Sequence, residues 1–160
     1  MNSGDVLSVS AREDSSYLLE LAAREVFQIM MGSRLERAES TPVHASMEFT
    51  AMVGLAGSLC GVLSLRCGSD TATLMVKRML GDNVEDLEQQ RWDALGETCN
   101  MIAGNFKDKL TGIGYRCLLS VPTVISGGDY RVHPLAGSRS VDVHLLFEDH
   151  PVQLLLEVHS

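Results

Sequence analysis

The sequence is poor in the features that mark most functions. It has one Trp, three Tyr and four Phe among 160 residues. Lys and Arg number 13 against 21 Asp and Glu, a net charge of −8, and the cations form no cluster. That balance excludes the basic, aromatic-bearing surface that nucleic-acid binding needs. An anionic membrane surface would repel the chain. No run approaches the ~20 apolar residues of a membrane span. The segment Met1 to Asp14 is polar, without the apolar core of a secretory signal. A cytoplasmic protein is therefore expected. The four cysteines, Cys60, Cys67, Cys99 and Cys117, form no C-x-x-C pair and read as reduced, buried thiols. His44, His133, His144, His150 and His159 are scattered without ligand spacing, so no metal site is assigned.

What is present is the composition of a globular domain, 45% hydrophobic and 21% charged. The length suits one domain with a real core. Residues 1–14 read as a flexible N-terminus and 15–160 as the domain. Ser15 or Ser16 is placed to cap a helix whose apolar face is Leu18, Leu19, Ala22, Val26, Ile29 and Met30, with Gly32 as its stop. The charged stretch Arg34–Thr41 reads as a loop. From Val43 the period becomes two, giving a strand running towards Leu55, a turn at Gly57-Ser58 and a second strand over Leu59–Leu65. Ser69 or Asp70 starts a helix that ends at Gly81. A long helix follows from about Leu87 to Leu110. The last third reads as strands: Arg116–Val124, a weaker Tyr130–Leu135, an alternating Val141–Phe147, a turn at Glu148–Pro151 and Val152–Val158. These segments predict an α+β fold of two layers, a mainly antiparallel sheet of about six strands with long helices on one face.

The long helix carries the most informative pattern. A helix turns about 100° per residue, so Asp93, Glu97 and Asn100 share a narrow band, opposite Trp92, Leu95, Cys99, Ile102, Phe106 and Leu110. Gly104 continues the band one turn on. A mid-helix glycine costs ~1 kcal/mol against alanine, so its use is either clearance for a partner's backbone or close packing within the fold. Gly96 lies nearer the core side, where packing is the better reading. The bland alternative for the whole band is a solvated helix face. The first helix repeats the spacing weakly, with Ser16, Glu20 and Ala23 in the three places; this is either coincidence, since Ser and Glu are common near helix N-termini, or an internal repeat of two halves.

The run Leu95-Gly-Glu97-Thr-Cys-Asn100-Met-Ile-Ala-Gly104-Asn105 closely resembles the signature of the CheC/CheX/FliY phosphatases of bacterial chemotaxis. In that signature Asp or Ser is followed after three residues by Glu and after two more by Asn, with a proline some twenty residues on. Pro122, within Ser120-Val-Pro-Thr-Val-Ile-Ser-Gly127, resembles that proline. Gly54-Leu-Ala-Gly57-Ser-Leu-Cys-Gly61 is similar to the family's hairpin before the short helix. The resemblance covers most of residues 15–158. Because Ala23 stands where a second site would need Asn, the chain resembles the single-site, CheX-like type.

The resemblance implies hydrolysis of the aspartyl phosphate of a CheY-type receiver domain, with the receiver supplying Mg²⁺ and the phosphatase no cofactor of its own. It implies that Asn100 positions the attacking water and that Glu97 contacts a receiver lysine. Asp93 and Gly104 are expected to support them. It also implies a homodimer formed through sheet edges. Two other readings are a receiver-binding or scaffold module without hydrolysis and a small-molecule sensory domain. The second would need an apolar pocket with convergent polar groups, which no cluster of residues suggests.

Overall fold

Three helices lie against a seven-stranded sheet in a computed structural model that describes residues 9–39, 46–110, 116–128, 130 and 138–159, with side chains from Asp14 onward except that of Ser138. The helices are α1 (Val9–Met31), α2 (Ser69–Leu80) and α3 (Leu87–Lys109). The strands are β1 (Leu35–Arg37), β2 (Phe49–Gly57), β3 (Gly61–Cys67), β4 (Cys117–Leu119), β5 (Thr123–Ser126), β6 (Ser138–Phe147) and β7 (His150–His159). The sheet runs β1-β6-β7-β3-β2-β4, with β5 also paired to β2, and every pairing is antiparallel.

Period-two sequences build the sheet. Val141, Val143, Leu145 and Phe147 of β6 and Val152, Leu154 and Leu156 of β7 are buried on the helix side. They meet Leu19, Ala22, Ala23, Val26 and Phe27 of α1 and Leu95, Cys99, Ile102 and Phe106 of α3 in one core. Phe27 and Phe147 contact edge to face, with centroids 5.1 Å apart. The opposite face carries a polar row: Arg66 donates to Thr50 and to Gln153, and Gln153 donates to Asp142. At the β6–β7 turn both Glu148 (φ 46°) and Asp149 (φ 70°) are left-handed, as a two-residue turn that matches strand twist requires. Arg78 of α2 grips the Glu148 carboxylate with two hydrogen bonds, at 2.8 and 2.6 Å.

The topology carries the repeat. α1, β1, β2 and β3 form one half; α3, β4 with β5, β6 and β7 form the other. Each half lends its first strand to the other's hairpin, since β1 pairs with β6 and β4 and β5 pair with β2. β3 and β7 meet at the centre. α1 packs on β6 and α3 on β2, again each on the other half's hairpin. α2 lies between the halves in the chain and has no counterpart among the described residues.

Several expectations need correction. α1 starts at Val9, so Ser15 and Ser16 lie inside it rather than cap it, and residues 9–14 are helical. Arg34–Thr41 is not all loop: Leu35 is fully buried and anchors the short strand β1. The strand from Val43 begins only at Phe49 among the described residues; the Glu48 carboxylate just before it is bound by Ser69 of α2. The strand expected over Arg116–Val124 is split in two around Ser120–Pro122. The split and β1 each add one strand to the expected six, and without the Tyr130–Leu135 strand the described count is seven. The strand expected over Tyr130–Leu135 lies outside the described residues, except Tyr130, which is not in a strand.

Candidate functional site

α3 is held on three sides, and its free surface is what the others leave. At its start Asp86 takes a left-handed φ of 52° and its carboxylate accepts from Gln89 N at 3.4 Å. Underneath, the Cys99 thiol points at the carbonyls of Ala51 and Leu63 in β2 and β3. On one flank Asn105 Nδ2 donates to Ala22 O (3.3 Å) and to Glu25 Oε2 (2.7 Å), and Lys109 Nζ reaches the same Glu25 oxygen at 2.8 Å. These contacts hold the Glu25 carboxyl below its ordinary value, the hydrogen bond from Lys109 contributing most and that from Asn105 next. On the other flank the segment Cys117–Ser126 runs antiparallel to the helix. Lys107 Nζ donates to Cys117 O (2.9 Å), and Trp92 Nε1 donates to Ser126 Oγ (3.1 Å). At Gly96 an added Cβ would sit 3.3 Å from Val124 Cγ2 and 3.8 Å from Pro122.

The result is a narrow window. Between residues 90 and 107 only Asp93 and Glu97 are exposed. Asn100 and Gly104, in the same angular band, are half-buried, and the remaining residues of that span are buried or half-buried. Within the window the side chains differ in their ties. Asp93 Oδ1 accepts from Gln89 Nε2 at 2.9 Å. Glu97 and Asn100 make no side-chain hydrogen bond or ion pair among the described residues. A carboxylate and a carboxamide thus stand one turn apart, unengaged, on a helix fixed from three directions. The carboxamide offers a donor and an acceptor, enough to hold a water in one orientation, and it does not titrate. The carboxylate offers a docking point for a cation.

Burial pushes the thiols of Cys99 and Cys67 up to about 12, which leaves them protonated. Among the described residues no group of three or more His, Cys, Asp or Glu is placed to hold a metal ion.

The first helix shows why the repeat is not functionally symmetric. Glu20 is 9% exposed and engaged by Arg24 at 3.0 Å and by Arg37 at 3.9 Å. Ala23 is fully buried. That helix spends its version of the pattern on the fold.

Two residues of the site neighbourhood were passed over in the sequence. Asn105 stood there only as part of the resembling run, yet it clamps α3 to α1. Gln89 carries the partner of Asp93, and the i,i+4 spacing of the pair was the available signal.

Fold and site together define an α+β domain of two interlocked repeats with one polar window on its second long helix. The family model for chemotaxis phosphatase CheX matches residues 49–146, which contain that window. The chain belongs to this family. The CheY-P phosphatase CheX of Thermotoga maritima is 33% identical over 82 residues, 51% of this chain and 53% of that protein, so the chain spans about half the length of the curated relative it matches. Among solved structures, a chemotaxis protein CheX from Desulfovibrio desulfuricans superposes with a TM-score of 0.79 at 23% identity, covering 91% of this chain and 99% of that one. The crystal structure of a CheX–CheY–BeF3–Mg²⁺ complex from Borrelia burgdorferi gives 0.75 at 21% identity, covering 90% and 97%. At these identities the structural likeness concerns the fold.

Proposed function

We propose that this protein is a phosphatase of a phosphorylated CheY-type receiver domain, acting in a chemotaxis or related two-component pathway in the cytoplasm. The observation that carries the reading is the unengaged pair Glu97 and Asn100 on an immobilised helix face. An aspartyl phosphate is an activated acyl phosphate, and the receiver brings its own Mg²⁺. The phosphatase then has only to bring a water in line with phosphorus and hold it there. Asn100 holds the water. Glu97 pairs with a lysine of the receiver and sets the docking register. Asp93, tied to Gln89, shapes the rim, and Gly104 leaves room for the partner's backbone.

A homodimer completes the proposal. β1 covers only Leu145–Phe147 of β6, so Ser138–Val143 has no strand neighbour on that side among the described residues. An open antiparallel edge of this kind is a template for pairing with a second copy. Sedimentation at micromolar concentration reads this directly, and a monomer mass refutes it.

The activity is tested by following loss of ³²P from a phosphorylated receiver. Asn100→Ala is expected to reduce the acceleration by about 100-fold, the scale of a misplaced reactant, while the fold is retained. Binding of the receiver without faster loss of phosphate by the unaltered protein would instead identify a docking module.

A further inference from the structure

The edge of the sheet beside α3 contains a built irregularity. Leu119 pairs with Leu55, and Thr123 with Met52. Three residues, Ser120, Val121 and Pro122, therefore face two, Val53 and Gly54: a β-bulge, the kind of insertion that re-aims a side chain at a strand edge. The bulge is pinned from within. Ser120 N donates to Gly54 O at 2.9 Å, Gly54 N donates to Ser120 Oγ at 2.8 Å, and Ser120 Oγ donates to Val121 O at 3.0 Å. Pro122 has no N–H to offer, so the strand cannot close up over this stretch.

What the bulge presents is Val121. It is 84% exposed, the most exposed large apolar side chain among the described residues. Its place along α3 follows from its neighbours. Leu119 lies 3.9 Å from where a Cβ of Gly104 would be, and Pro122 lies 3.8 Å from that of Gly96. Ser120 and Val121 fall between these contacts, beside the stretch of α3 from Gly96 to Gly104 that carries Glu97 and Asn100. A lone exposed valine needs no explanation; one held out by a pinned bulge beside the site does. The same bulge and proline spoil this edge for strand addition by a second copy. The occupant is then the molecule that meets Glu97 and Asn100.

We infer that Val121 is a docking and specificity residue, seated against an apolar rim beside the phosphoaspartate of the receiver, and that Ser120 and Pro122 are there to present it. This rests on the receiver-phosphatase reading above. Its chemistry is differential: Val121 contributes to association, whereas Asn100 contributes to the hydrolytic step.

The test is a binding titration of a CheY-type receiver loaded with Mg²⁺ and beryllofluoride, which reads affinity whether or not phosphate is hydrolysed. Val121→Ser, Val121→Leu and Asn100→Ala are compared with the unaltered chain. Exchanging the valine for serine is expected to weaken binding about fivefold to tenfold, the scale of an apolar side chain losing its burial. The leucine variant stays within about twofold and Asn100→Ala changes affinity little, since uniform binding and turnover are separable. In a turnover assay Val121→Ser raises KM and leaves kcat unchanged. Wild-type affinity in Val121→Ser overturns the inference, as does a variant that loses kcat at unchanged KM. A change in oligomeric mass on sedimentation overturns it too, because Val121 would then face a second copy. A receiver that binds through Val121 but is not dephosphorylated by the unaltered chain leaves this inference standing and defeats the phosphatase reading.

Discussion

Replacing Gly104 by alanine adds one methyl group to the middle of α3. The fold has room for it: outside its own helix, the nearest atom to the new Cβ is Leu119 Cδ1 at 3.9 Å, ordinary van der Waals contact. Close packing within the chain therefore does not explain the glycine. Without a clash, the exchange should recover the helix-interior cost of glycine, about 0.5–1 kcal/mol. For a chain of this length that is a rise in Tm of about 1–4 °C. Gly104 also shares the band of Glu97 and Asn100. If the receiver's backbone passes over it, the same methyl group intrudes on a close contact at a cost of about 1–3 kcal/mol. That corresponds to roughly a fivefold to hundredfold rise in KM. The expected signature of Gly104→Ala is thus a more stable protein that is a poorer phosphatase. Differential scanning calorimetry and a substrate-dependent turnover assay read the two halves. A fall in Tm would refute the packing argument. A rise in Tm with an unchanged KM would refute clearance.

Two further outcomes follow from the hydrogen bonds around the helices. Glu48 accepts from Ser69 N at 2.6 Å and from the hydroxyls of Ser69 and Ser46 at 2.9 Å each, capping α2 from a neighbouring segment. These bonds, the Ser69 backbone bond foremost, hold its carboxyl below the ordinary 4.5. A depressed folded-state value means the stabilisation is fully present above about pH 4.5 and is lost as pH falls through the folded value. Glu48→Gln should therefore lower Tm by a few degrees at pH 7, on the scale of a lost cap of about 1 kcal/mol. It should also show a shallower decline than the unaltered chain below about pH 4.5; parallel acid limbs would count against the assignment. Asn105→Ala removes that side chain's two bonds to α1 and leaves Ala22 O without this donor, so a loss of about 1–3 kcal/mol in urea unfolding is expected. Unchanged stability would show that the clamp contributes nothing.

How much of this was legible in the sequence depended on whether a segment's structure is local. α3 and the β6–β7 hairpin were readable because an amphipathic period or an alternation, with turn residues at its ends, is written in neighbouring residues. β1 was not, since only Leu35 of its three residues is buried and Glu36 and Arg37 are exposed. Its existence depends on pairing with β6, more than a hundred residues away. The early start of α1 was missed because Ser10 to Asp14 carry no apolar period. The bulge was invisible for a related reason: Pro122 was noticed, but the extra residue appears only when Leu119 and Thr123 are registered against β2. At the site, the angular band of Asp93, Glu97, Asn100 and Gly104 follows from helix geometry alone. The partners of Asp93 and Glu20 on their own helices, Gln89 and Arg24, stand at i,i+4 spacing, but that Glu97 and Asn100 are unengaged needed the tertiary neighbours. The weak repeat in the two helices became meaningful once the halves were seen to exchange their first strands.

The central claim is that a carboxamide at position 100 supplies the water-holding function and that the receiver supplies the rest. Single-turnover decay of a ³²P-labelled receiver with saturating protein measures this most directly. Asn100→Ala is expected to reduce the maximal rate by about 100-fold while the beryllofluoride-loaded receiver still binds with near-normal affinity. A variant that binds and dephosphorylates as the unaltered chain does would contradict it.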